Sequence, residues 1–262
     1  MKTRLTMKRR FYFLLVVSIF LMQSCVSKKE VVYFQDANES EQAIPVISTK
    51  IEPNDILSIQ VSAQDPIAAA PYNLGSGNAT GGALNNIEIL KLNGYLVSPE
   101  GMVTLPVLGE YEAKGKNIEE IRLEIENMLI EGGHLVAPTV NVRLLNAKVT
   151  VMGEVKVPGT YTFTEQRITL PQALGYAGDL TINGKRDDIL IIREEDGKRT
   201  MKRIDMTTTD WFNSPYFYIK QNDVIVVSPN NAKVKSAGLI GNAATVLTAV
   251  SVMLSAIVII TR

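Results

Sequence analysis

The chain is poor in the residues that build disulfide and metal sites. Its 262 residues include one cysteine, one histidine and one tryptophan, and neither charge is in excess, with 27 Lys and Arg against 27 Asp and Glu. A lone cysteine excludes a disulfide scaffold, and a lone histidine excludes a His-rich metal site. Balanced charge leaves no basic surface of the kind that holds nucleic acid. Apolar and aromatic residues are plentiful, at 46%, enough for one or two packed cores and too many for a disordered polymer.

The two ends do not read like the middle. Lys2, Arg4, Lys8, Arg9 and Arg10 precede a charge-free run from Phe11 to Met22. That run is shorter than the roughly 20 residues a stable membrane-crossing helix needs, so residues 1–24 read as a secretory signal peptide. Leu21-Met22-Gln23-Ser24-Cys25 resembles a lipobox, in which cleavage falls before an acylated cysteine; Cys25 is the expected lipidation site. Removing 1–24 takes away five basic groups and no acidic ones, so the formal charge moves from 0 to −5. Acyl chains contribute about 0.8 kcal/mol per buried CH2, and two or more hold a protein on a bilayer where one lets it go. Residues 25–48, polar apart from the short island Val31–Phe34, suit a lipidated tether ending in a strand or docking segment.

The globular reading begins near Ile51. Period-two alternation marks strands at Ile56, Ile59 and Val61, at Val103, Leu105 and Val107, and at Val140, Val142 and Leu144. Four glycines between Gly75 and Gly82 read as a surface loop; the Gly-Lys-Ser/Thr ending of a phosphate-binding loop is missing. Asn117-Ile-Glu-Glu120 opens a helix with an N-cap and a Glu three residues on, and Ile118, Ile121, Ile125, Met128 and Leu129 mark its apolar face up to Gly132-Gly133. Thr169-Leu-Pro-Gln172 opens a shorter helix with Pro171 in its first turn. Then come a strand at Ile189–Ile192, a charged hairpin turn Arg193–Lys198, a polar strand to Ile204 and a strand at Asp223–Val227. The boundary between two compact units falls near Leu145 to Lys148.

Two segments echo each other. Ile51-Glu-Pro-Asn-Asp-Ile-Leu-Ser-Ile59 and Ile219-Lys-Gln-Asn-Asp-Val-Ile-Val-Val227 share Ile, Asn-Asp and an alternating strand in register. Asn54-Asp55 and Asn222-Asp223 are turn formers whose side-chain oxygens satisfy local N–H groups, a structural role in preference to a catalytic one. Leu108-Gly-Glu-Tyr111 and Met152-Gly-Glu-Val155 form a weaker echo, with glycines that permit a bulge or a close approach. A hydrolase would need a carboxylate pair or a nucleophile with a base; the only imidazole is His134, beside a turn. Trp211, Phe212, Tyr216, Phe217 and Tyr218 could stack on sugars or serve as core or interface.

The last segment, Ala237 to Ile260, is 24 residues without a charge. As a helix it would extend about 36 Å, against a hydrocarbon core of roughly 30 Å, which predicts a C-terminal membrane-spanning α-helix over 237–260. Gly241, Ala244, Thr245, Thr248, Ser251 and Ser255 share one side of it, as expected of helices that pack together or line a lumen.

At this point the motifs resemble those of the outer-membrane polysaccharide export lipoproteins, the Wza-like family. They are Ile51-x-Pro-Asn-Asp-Ile-Leu-x-Ile59, Gly94, Gly101-x-Val-x-Leu-Pro-Val-Leu-Gly109, the Asn117 helix, Pro138-Thr-Val-x-Val142, Val151-x-Gly-Glu-Val-x-x-Pro-Gly-x-Tyr161, Thr169-Leu-x-x-Ala173 and Ala177-Gly178. The resemblance implies an α+β chain: a small mixed α/β export domain over 49–146, a soluble-ligand-binding β-grasp (SLBB) domain over 147–229, and the terminal helix. It further implies an octamer-like homo-oligomeric ring, a passive conduit for capsule or exopolysaccharide across periplasm and outer membrane. The body would lie in the periplasm, beneath outer-membrane lipid, with an inner-membrane chain-length regulator or tyrosine kinase as partner. No cofactor, nucleic acid or bond chemistry is implied, and Thr245, Thr248, Ser251 and Ser255 would line the pore or pack helices. Two other readings are a lipoprotein that anchors an envelope assembly without conducting polymer, and a secreted glycan-acting enzyme.

Overall fold

The computed structural model describes residues 28–38, 49–74, 87–195 and 197–236, with Leu247, Thr248, Ser251, Val252, Ser255 and Ile259 beyond them. Two hydrophobic cores organise these residues, each in a mixed α/β unit as the sequence predicts.

The first unit runs β1 (Ile56–Ser62), α1 (Pro66–Ala69), α2 (Ile87–Leu92), β2 (Tyr95–Leu96), β3 (Met102–Leu105), β4 (Gly109–Glu112), α3 (Ile118–Glu131) and β5 (Thr139–Leu144). Alternation along β1 sends Leu57, Ile59 and Val61 inward. β1 lies between β2 and β5 and is antiparallel to both, while β3 and β4 form a separate hairpin. At the start of α3 the Asn117 side chain accepts from Glu120 N at 2.9 Å and the Glu120 carboxylate accepts from Asn117 N at 2.8 Å. This reciprocal cap is worth about 1 kcal/mol. Ile121, Ile125 and Leu129 are fully buried against the sheet, each contributing roughly 1.5–3 kcal/mol. The helix ends at Gly132-Gly133, where Gly133 takes φ +65°.

The second unit contains β6 (Lys148–Gly153), β7 (Gly159–Thr162), β8 (Ile168–Thr169), α4 (Leu170–Tyr176), β9 (Gly184–Glu195), β10 (Lys198–Ile204), β11 (Tyr218–Ile219), β12 (Val224–Pro229) and α5 (Asn231–Ser236). Its five-stranded sheet has the order β10-β9-β12-β6-β7, with β12 and β6 parallel and the other pairs antiparallel. β8 and β11 make a two-stranded ribbon. Leu170, Ala173 and Leu174 of α4 meet Val149, Val151, Ile189, Ile191, Ile225 and Val227 of the sheet in one core. Gly153, in the weaker echo, has φ +92° and its Cα faces the carbonyl oxygen of Val227, so any Cβ there would collide with backbone.

Two expectations are corrected. Among the described residues no helix is long and apolar enough to cross a membrane, which overturns the membrane-spanning helix expected over 237–260. A span needs about 20 consecutive apolar residues. The helix leading towards that segment, α5, has six residues and carries Lys233 and Lys235, and beyond it Leu247, Thr248, Ser251, Val252, Ser255 and Ile259 are helical and exposed. The second correction concerns Arg193–Lys198, expected as a charged hairpin turn. β9 continues through Arg193 to Glu195, Glu195 pairs with Lys198, and Arg193 is buried.

Candidate functional site

The two echoed turns lie at the junction of the units. In each, the Asn adopts a left-handed conformation, φ +71° at Asn54 and +62° at Asn222, a region that Asn tolerates better than most residues. In each, the following Asp folds back on the turn: Asp55 Oδ2 accepts from Glu52 N at 2.8 Å, and Asp223 Oδ2 from Lys220 N at 2.9 Å. Both carboxylates are buried, Asp55 at 2% exposure and Asp223 at 0%. The turns also touch, because Gln221 Nε2 donates to Asp55 Oδ2 at 2.8 Å.

The environments of the two carboxylates differ. Asp223 holds Arg193 bidentately, through Nε at 2.9 Å and Nη2 at 2.7 Å, and the guanidinium also reaches the carbonyls of Pro215 and Tyr218 and lies under the Tyr216 ring. Burial pulls the Asp223 pKa up and the guanidinium opposes it. Burial also raises the Asp55 pKa, opposed only by neutral donors, the Glu52 N–H and the Gln221 amide.

Beside this contact is a cleft of about 410 Å³ between the units, lined on one side by residues 141–144 and on the other by residues 163–166, with Gln221 at the junction. The first wall is β5, which pairs only with β1 among the described strands. Leu145 N donates to Ile56 O, which sets the phase of the ladder: the backbone groups of Val140, Val142 and Leu144 point away from β1. Val140 N is taken by the Glu126 carboxylate at 3.0 Å. In the second wall the Glu165 carboxylate accepts from Thr164 N and Tyr176 Oη, and its pKa is held below the usual value by its own and the Thr164 backbone N–H. Leu144 packs against both cores.

The segment 28–38 fastens onto the second unit. Phe34 N donates to Met206 O at 3.0 Å and Gln35 N to Thr207 O at 2.7 Å. The Phe34 ring meets Trp211 and Phe212. Tyr33 donates its hydroxyl to Asp179 at 2.7 Å and lies over Arg186. Burial, then the Asp179 contact, push the Tyr33 phenol above its ordinary pKa.

Residues 46–145 match the family described as polysaccharide biosynthesis/export protein, and residues 148–203 match the SLBB domain. The chain belongs to the polysaccharide export family. It is similar to the EPS I polysaccharide export outer membrane protein EpsA of Ralstonia solanacearum, 27% identical over 203 residues, 76% of this chain and 52% of that protein. It is likewise similar to the EpsA of Ralstonia nicotianae (strain ATCC BAA-1114 / GMI1000), 30% identical over 172 residues, 61% of this chain and 43% of that protein. The chain thus spans about half the length of the curated relatives it matches.

In this family member the junction falls where the first match ends and the second begins, at the Leu144–Lys148 link. Cys25, Thr245 and the glycines of 75–82 lie outside the described residues. Thr248, Ser251 and Ser255 are helical and exposed, with Ser255 Oγ donating to Ser251 O at 2.8 Å. The aromatic group resolves in favour of packing. Trp211 is buried and its indole N–H is taken by Thr208 O, while Phe217 packs on the same core. Tyr216 stacks on Arg193, and Tyr218 lies beneath Arg167. His134 is exposed and sits edge-on to Tyr72. No local sequence pattern marks Arg193 or Gln221 as a junction residue. The signal for Gln221 was its place in the echo, where it occupies the position of Pro53.

Proposed function

We propose that the chain is a subunit of an outer-membrane export assembly for a secreted polysaccharide, oligomerising into a ring through which the polymer passes without covalent change. The observation that carries this reading is the ordered pair of family matches, export segment then SLBB segment, in a chain similar to two proteins named as polysaccharide export outer membrane proteins. A hydrated polymer cannot enter hydrocarbon, so it needs a lined passage, and the driving energy must come from the inner-membrane side. The partner in that role is a chain-length regulator or tyrosine kinase of the inner membrane. In this reading the export domain covers 49–146 and the SLBB domain 147–229.

Lipidation at Cys25 places the protein at the outer membrane with its body in the periplasm. The docked segment supports that arrangement: Tyr33 is eight residues from Cys25, so an extended chain puts the second unit within roughly 28 Å of the lipid. The hydroxyl-bearing residues Thr245, Thr248, Ser251 and Ser255 are assigned to subunit packing or to the wall of the passage. Deleting the gene and complementing it tests the function. Surface polysaccharide should disappear on deletion and return on complementation, and an unchanged yield of surface polymer would contradict the reading.

A further inference from the structure

The cleft between the units has no role in the passage just described, yet it combines three unmet chemical demands. Gln221 is 94% buried, since its exposure is 6%. Its Nε2 is committed to Asp55, and its Oε1 finds no donor among the described residues. A carboxamide oxygen can only accept, and this one is closed off from solvent, so an occupant reaches it only when the Gln221 side chain turns towards the cleft and must then bring an O–H or N–H. The second demand comes from the β5 edge, where Val142 and Leu144 turn backbone groups away from β1 towards the cleft. The third comes from side chains of both kinds: Arg143 offers donors, Glu165 acceptors, and Gln166 both.

We propose that this cleft is a saccharide subsite, which takes a short run of the polymer or an oligosaccharide related to it. The proposal rests on the export reading and deepens it by placing a sugar contact at the junction of the two units. A saccharide hydroxyl donates one hydrogen bond and accepts others, which suits a wall that mixes acceptors, donors and open backbone. The apolar floor, from Ile118, Phe163 and Ile219, suits the C–H face of a sugar ring. The size, about 410 Å³, falls within the range of small-ligand sites.

A strand from another protein is the competing occupant of a free sheet edge. Glu126 argues against it. Its carboxylate occupies the Val140 N–H, and Arg122 holds that carboxylate in place at 2.7 Å. Only Val142 and Leu144 remain on that edge, too short a ladder to hold an added strand, while the discrete hydroxyls of a sugar can still reach it. Because the cleft is formed by both units, an occupant would also fix their relative orientation.

The test uses full-length mature protein in detergent and short oligosaccharides released by mild acid from the host's own surface polymer. Calorimetry should detect binding, and hydrogen exchange should slow at residues 141–144 and 163–166. Arg143→Ala, at an exposed position, should weaken binding roughly ten-fold with an unchanged melting temperature, and Gln166→Ala should weaken it less. If deletion of the gene abolishes surface polymer but the oligosaccharides leave exchange in the cleft unchanged, the subsite is overturned and the export reading stands. If binding and the Arg143→Ala loss are observed but deletion leaves surface polymer unaffected, the subsite stands and the export reading falls. Protection of Val142 and Leu144 that follows protein concentration and not sugar would assign the edge to pairing between copies and overturn the proposal.

Discussion

Gln221, in the turn that leads into β12, donates its amide to Asp55, buried in the turn that leads into β1, at 2.8 Å. Two sequence-related turns, one from each unit, therefore meet in a single hydrogen bond. The contact joins a buried carboxylate to a neutral partner, which makes its energetics depend on protonation.

Asp55→Ala should destabilise the protein by about 1–3 kcal/mol, because the Glu52 N–H and the Gln221 amide both lose their acceptor. Asp55→Asn keeps a carbonyl acceptor and should cost less. Urea unfolding of the two variants checks the order, and an equal loss in both would show that charge, not acceptance, matters there.

The pH dependence follows from burial. The Asp55 pKa is raised in the folded protein, so the folded state holds this proton more tightly than the unfolded chain does. The stability that it contributes is complete below the unfolded value, near 4, and is lost as pH rises through the higher folded value. Relative to Asp55→Asn, the natural protein should therefore be more favoured at pH 4 than at pH 7.5. Denaturant midpoints of the pair at both pH values test this, and a constant difference would contradict it.

Arg193→Met should cost about 3–5 kcal/mol, since it leaves the Asp223 carboxylate buried without its cation. Arg193→Lys should restore only part of that loss. An ammonium cannot reproduce the fork on Asp223 together with bonds to Pro215 O and Tyr218 O. The measurement is the urea midpoint of the isolated variants. A fully stable Lys variant would show that the bidentate geometry carries no weight.

Phe34→Ala should release the N-terminal segment without unfolding either core. Amide exchange at Phe34 and Gln35, whose N–H groups bond Met206 O and Thr207 O, should accelerate while the β6 and β12 amides keep their protection. Acceleration across β12 as well would mean that the segment is part of the core and not a docked strap.

Features that depend on neighbours in the chain were legible in the sequence. The caps at Asn117 and Thr169, the apolar face of α3 and the alternation of β1 each follow from a local pattern with a local physical cause. Arg193 was not legible, because a run of Arg, Glu, Glu, Asp and Lys looks like a solvated turn until a carboxylate 30 residues away is known to lie beside it. The cleft was hidden for the same reason: its walls come from residues 141–144, 163–166 and 221, and only the tertiary fold brings them together. In the tail, absence of charge predicts membrane insertion, yet among the described residues no helix is long and apolar enough to cross a membrane.

Replacing Cys25 by Ser should abolish palmitate labelling of the protein and release it from the outer-membrane fraction, while labelling that persists would place the acyl group elsewhere.

Single-particle imaging of the detergent-extracted protein tests the export assembly most directly. Closed rings of several subunits with an open centre are predicted, and a population of monomers or open, irregular clusters at the same protein concentration would contradict it.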